Sequence, residues 1–132
     1  MPKESGHHIE SHFPFIADEG RVTPLEVSDT FWADIGSGAF GELGTGVLVS
    51  TFAFERDWDS WEVHPAGDEV VCLLEGDVEL VLDLPDGEKV VALREPGAFV
   101  IVPRGTWHTA RTRTPSRALF LTRGDDTDHR PA

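Results

Sequence analysis

Residues 60–76 read SWEVHPAGDEVVCLLEG, and the alternation in this stretch decides the fold class. In an extended strand successive side chains point to opposite faces, so Glu62 and His64 share one face and Trp61 and Val63 the other. The run PAGD (65–68) breaks that pattern with turn residues: Pro presets its backbone angle, Gly accepts unusual ones, and Asp bonds its own backbone. The block EVVCLLE (69–75) is rich in β-branched and aliphatic residues and stops at Gly76. Strand, turn, strand is the expected order.

The same grammar continues on both sides. VLVSTFAF (47–54) reads as a strand, and ERDWD (55–59) as the loop leading into SWEVH. VELVLDL (78–84) and KVVAL (89–93) read as strands joined by the hairpin signal PDGE (85–88). After REPG (94–97) come AFVIV (98–102), the turn PRG (103–105), TWHTART (106–112) and, past TPS, RALFLT (117–122). A succession of short strands with turns at short spacing predicts an all-β sandwich or barrel. Upstream, Leu25, Val27, Phe31, Trp32, Ile35, Phe40 and Leu43 need burial, which predicts an ordered segment, although GSGAFGELGTG (36–46) is too glycine-rich for a long helix.

At 132 residues the chain fits one domain. The expected division is a flexible N-terminal arm over 1–12 that carries His7, His8 and His12, a single domain over 13–123, and a polar, frayed tail over 124–132. The formal net charge of −13 repels nucleic-acid phosphates and anionic lipid, so neither nucleic acid nor a membrane is an expected partner. Cys72 is the only cysteine, which precludes an internal disulfide. The first residues, MPKESGHHIESHFPF, hold no apolar signal core, and no apolar run reaches bilayer length. A cytoplasmic setting is the expectation.

Chemistry concentrates beside the turns. Glu62, His64, Glu69 and His108 each sit at or near a strand end, where a barrel can aim several groups into one mouth. Two imidazoles and two carboxylates suit a divalent first-row metal without thiolate. Buried with no cation, the two carboxylates would repel each other, and desolvation would raise at least one pKa. Trp58, in the loop beside the mouth, and Arg104, in the PRG turn, are weaker candidates for substrate contact.

These spacings resemble the two motifs of the cupin superfamily, specifically its small single-domain bacterial members with the RmlC-like jelly roll. The first motif runs His-x-His, three or four residues, Glu, six residues, Gly; here His64, Glu69 and Gly76 occupy the last three places. The second runs Gly, five residues, Pro-x-Gly, two residues, His, three residues, Asn; here Gly97, Pro103, Gly105 and His108 fall at those spacings. The resemblance implies a double-stranded β-helix, or jelly-roll barrel, with an N-terminal extension. It also implies a metal set of three His and one Glu.

Three positions depart from the pattern: Arg56 stands for the opening Gly, Glu62 for the first His and Thr112 for the final Asn. Glu62 must therefore replace an imidazole as a metal ligand, or else act as a base or substrate contact. A second carboxylate makes the site harder, which favours manganese or iron(II), with nickel or zinc as further candidates.

The resemblance implies a fold and a site rather than one reaction. A metal-dependent enzyme acting on a small organic molecule is the first reading, dioxygenase-like before isomerase- or lyase-like. A non-catalytic small-molecule binding or sensing module is the alternative. A metal-free sugar-nucleotide epimerase of related fold would need a Tyr acid, and the chain contains no Tyr. A homodimer is the expected assembly.

Overall fold

The computed structural model describes residues 2–132. Eleven strands follow in chain order: β1 His12–Ala17, β2 Val22–Glu26, β3 Gly46–Phe54, β4 Ser60–Val63, β5 Glu69–Glu75, β6 Val78–Leu84, β7 Gly87–Leu93, β8 Phe99–Val102, β9 Trp107–Thr112, β10 Ser116–Thr122 and β11 Asp128–Pro131. One helix, α1 (Phe31–Gly36), and a 3₁₀ turn over Gly41–Leu43 lie between β2 and β3. The strands form a six-stranded sheet of order β2-β1-β3-β10-β5-β8 and a five-stranded sheet of order β11-β4-β9-β6-β7. Every pairing is antiparallel. This is the expected all-β jelly roll. No described helix is long and apolar enough to cross a membrane.

Alternation sets the core. On β5, Glu69, Val71 and Leu73 are buried while Val70, Cys72 and Leu74 are only half-buried, so Glu69 is in phase with the core. Val71 and Leu73 join Val78, Leu80, Leu82, Val100, Val102, Ala110, Ala118 and Phe120 between the two sheets. The expected β6–β7 hairpin forms, with a tighter turn of Pro85 and Asp86 alone, since Gly87 and Glu88 already pair with Leu84 and Asp83. Gly76, which ends β5, has φ +100, and a Cβ there would run into the Ser116 side chain and its Cα. Glycine is required there by both conformation and space.

The N-terminal extension builds a second, smaller core. Phe13, Leu25, Phe31 and Leu48 are buried together, with Phe15, Val27, Ile35, Phe40 and Leu43 packed against them. Phe13 and Phe31 meet edge to face, their centroids 5.2 Å apart. The segment is ordered as expected, but the short helix α1 is not legible in its sequence.

One expectation is corrected. The tail does not fray: β11 pairs with β4, Asp128 opposite Val63 and His129 opposite Glu62. It has no large apolar residue to advertise a strand. It is held instead by backbone pairing, by Arg130 bonded to Asp83 at 2.9 Å, and by the Arg130 guanidinium 4.6 Å from the Trp107 ring and 5.3 Å from that of Trp61.

Candidate metal centre

The two sheets supply the four sequence-predicted ligand residues from opposite sides. Within the five-stranded sheet Glu62 on β4 pairs directly with His108 on β9, so both side chains leave on the same face. His64 follows β4 immediately. Its carbonyl accepts a bond from the Gly105 N–H at 3.1 Å, which ties the turn before His108 to the turn after His64. Gly105 makes that contact with φ +73. Glu69 comes from the facing sheet.

The four groups converge. One Glu69 oxygen stands 3.2 Å from His64 Nε2 and the other 3.2 Å from His108 Nε2. Glu62 Oε2 lies 3.5 Å from His64 Nε2. Donor atoms of Glu62, His64 and His108 all fall within 4.8 Å of one another. His108 is 0%, Glu69 2% and His64 6% exposed, while Glu62 is half-buried and forms the open side.

The outer hydrogen bonds determine which nitrogen faces inward. His108 Nδ1 lies 3.0 Å from the Thr106 carbonyl, which can only accept, so Nδ1 carries the proton. His64 Nδ1 lies 2.8 Å from Thr127 Oγ1, whose own hydrogen goes to the Gly124 carbonyl at 2.8 Å, so here too Nδ1 donates. Thr122 Oγ1 donates to Glu69 Oε2 at 2.5 Å. With Nδ1 donating outward in each ring, it is Nε2 that both imidazoles turn toward the same carboxylate.

Despite their closeness, the inward atoms are poorly aligned for bonds to one another. His64 Nε2, His108 Nε2 and Glu69 Oε1 are buried with no hydrogen-bond partner. Orphaned buried polar atoms are costly and rare, and three aimed at one spot fit a group held between them. Nitrogen and carboxylate donors with fixed tautomers are the donor set of a divalent first-row ion.

The electrostatics correct one expectation: neither carboxylate is raised, because the imidazoles beside them outweigh burial. Burial alone would push the Glu69 carboxyl up, but the His108 and His64 imidazoles beside it outweigh burial and hold it down at about 2. Burial alone would push His64 down, but Glu62 and Glu69 outweigh it and raise it to about 9. Glu62, also opposed by burial, is held below the usual carboxylate range by His64. Without metal, a proton on His64 supplies the positive charge that the two carboxylates demand.

The weaker candidates fall elsewhere. Trp58 packs on the core against Phe54 and Phe120, and its indole N–H is buried without an acceptor. The Arg104 backbone N–H donates to Asp68 at 2.8 Å, and its exposed side chain makes no ion pair among the described residues. Thr122, Thr127 and His129, whose Nε2 lies 3.3 Å from Glu62 Oε1, were missed by the sequence reading. The alternation of Thr127 and His129 was a signal, but nothing apolar around it marked a strand.

The profile of the cupin domain matches residues 51–122, more than half of the chain. The chain is a cupin. No curated protein sequence matches it. Among solved structures, this cupin is similar to a cupin-2 domain containing protein from Shewanella frigidimarina, at 18% identity over 58% of this chain and 70% of that one, with a TM-score of 0.50. It is similar to hydroquinone 1,2-dioxygenase from a Sphingomonas species, solved with 4-hydroxybenzoate bound, at 20% identity over 65% of this chain and 60% of that one (TM-score 0.50). An oxalate oxidase matches at 15% identity over 64% of this chain and 45% of that one, with a TM-score of 0.52. At these identities the likeness is one of fold.

Proposed function

We propose that this cupin holds a divalent metal through His64, Glu69, His108 and Glu62 and acts there on a small organic molecule. The observation that carries the reading is the convergence of two orphaned Nε2 atoms and an orphaned Glu69 oxygen in one buried place. Manganese or iron(II) suits two carboxylates and two imidazoles best, with nickel or zinc next. When bound, such an ion supplies Lewis acidity toward an oxygen-bearing substrate.

The protein's own residues divide the remaining work. His108 and Glu69 are buried and rigidly bonded, so they hold position. Glu62 lies on the open side, where it either completes the donor set or accepts a substrate proton. Among reactions, a dioxygenase-like one comes first, ahead of isomerase- or lyase-like ones. Its support is the sharing of this fold with hydroquinone 1,2-dioxygenase and oxalate oxidase.

Elemental analysis of protein purified without added metal tests the site. Near-stoichiometric manganese, iron, nickel or zinc, lost in His64→Ala, is expected, and Glu62→Ala then distinguishes ligand from base. A wild-type protein with no metal and no thermal shift on adding any would overturn the reading. Metal uptake with no turnover of small aromatic or carboxylic substrates would leave a binding or sensing module as the function.

A homodimer is part of the proposal. The outer face of the six-stranded sheet carries two rows, Val49–Leu121–Val70–Ile101 and Thr51–Leu119–Cys72–Phe99, aligned by the strand register. Phe99 is 59% and Ile101 55% exposed on it. Two rows of uncharged, mostly apolar side chains on a sheet face suit packing against a second copy.

A further inference from the structure

We propose that the C-terminal strand is the positioning arm of the metal site, with Thr127 and His129 orienting two of its donors, so that ion binding and docking of β11 are coupled. The proposal rests on reading the Glu62–His64–Glu69–His108 cluster as a metal site.

Thr127 immediately precedes β11 and His129 lies within it, and the side chains of both reach the β4 side of the site. Each bonds a different β4-side donor. Thr127 Oγ1 meets His64 Nδ1 at 2.8 Å, and His129 Nε2 meets Glu62 Oε1 at 3.3 Å. A carboxylate only accepts, so His129 donates and engages Oε1, while Oε2 faces His64. The register places His129, Glu62 and His108 in one row across three strands. Where the cupin pattern has an imidazole this chain has Glu62, a longer and more flexible side chain, and the imidazole of His129 stands directly behind it.

Thr127 is itself fixed. The turn Gly124–Thr127 closes with a 3.1 Å backbone bond, and Asp126 there takes φ +62, a conformation Asp tolerates. The Thr127 hydroxyl has committed its hydrogen to Gly124, so it presents only a lone pair to His64. That keeps a proton on Nδ1, so the proton His64 gives up on becoming neutral is the one on Nε2, the atom that faces the site. Farther along, Arg130 anchors β11 to Asp83 and to the Trp61 and Trp107 rings and touches none of the four donors. The arm therefore has separate residues for docking and for orienting.

Partners of this kind typically change metal affinity by about 10- to 100-fold when removed. Linkage makes the effect reciprocal: if a docked β11 tightens the ion, the ion must tighten β11. The test is calorimetric titration of metal-stripped protein with Mn²⁺, and with Zn²⁺ in parallel, together with hydrogen exchange of the 127–130 amides with and without the ion. Thr127→Val and His129→Ala are expected to weaken binding at least tenfold each, and Thr127→Ser and His129→Gln, which keep the bonding groups, to restore most of it. Exchange of the β11 amides in the wild type is expected to slow on adding the ion, a readout that needs no variant to fold. Tight binding by wild type and all four variants, with β11 exchange unchanged by the ion, would overturn the arm while leaving the site intact. A wild type that binds neither ion would overturn the metal site itself.

Discussion

At the residue scale the site is a compromise between burial and charge. His64 and Glu69 each shift against the direction that burial dictates, because the partner is closer than the solvent. The sign of the resulting pH dependence follows. His64, raised to about 9, stabilises the metal-free fold fully below 6.5, and that contribution is lost as pH climbs through about 9. Glu69, lowered to about 2, stabilises it above 4.5, and that is lost as pH falls through about 2. Both describe one interaction seen from its two ends. Urea titrations of stripped protein should show maximal stability between about pH 4.5 and 6.5. His64→Gln should flatten the alkaline limb, and a limb unchanged in that variant would refute the assignment. Since ligation needs a neutral imidazole, metal uptake near neutrality should release a proton, measurable by calorimetry in buffers of different ionisation enthalpy.

At the element scale the decisive features are ends and turns. Gly76 ends β5 and lets the chain pass Ser116. Gly76→Ala combines a left-handed backbone with a clash and should cost about 2 kcal/mol or more in chemical denaturation. A cost within 0.5 kcal/mol, the ordinary range of surface changes, would show that the turn relaxes freely. The N-terminal extension stands or falls on its own small core. Phe31 is 1% exposed and touches Phe13, Trp32 and Phe40, so Phe31→Ala should destabilise by about 3 kcal/mol. The loss should appear first as faster hydrogen exchange in β1 and β2, before β5 and β9, because the clusters are separate.

At the scale of the whole molecule, a strongly acidic chain carries two adjacent uncharged rows on the outer face of the six-stranded sheet. Sedimentation velocity should give a dimer for the wild type. Replacing Phe99 and Ile101 together by Lys should give a monomer with the same circular dichroism, since neither side chain is in the core. A monomeric wild type would remove the dimer from the proposal.

The amino-acid order alone determined the barrel strands from β3 to β10 and three of the converging donors, because alternation, turn residues and fixed spacing are local properties. His64, Glu69 and His108 were legible from their intervals, while Glu62, two residues before His64, was a candidate whose role the sequence left open. Tertiary structure alone decided the rest. Whether Glu62 meets the others depended on the β4–β9 register, which no local pattern encodes. The tail, with no large apolar side chain, is held as a strand where Arg130 meets two indole rings and a carboxylate far away in sequence. Helix α1 formed where packing of Phe31 against Phe13 and Leu48 overrode a glycine-rich context. Local chemistry wrote the strands; long-range contacts, invisible to spacing, chose which side chains would face one another.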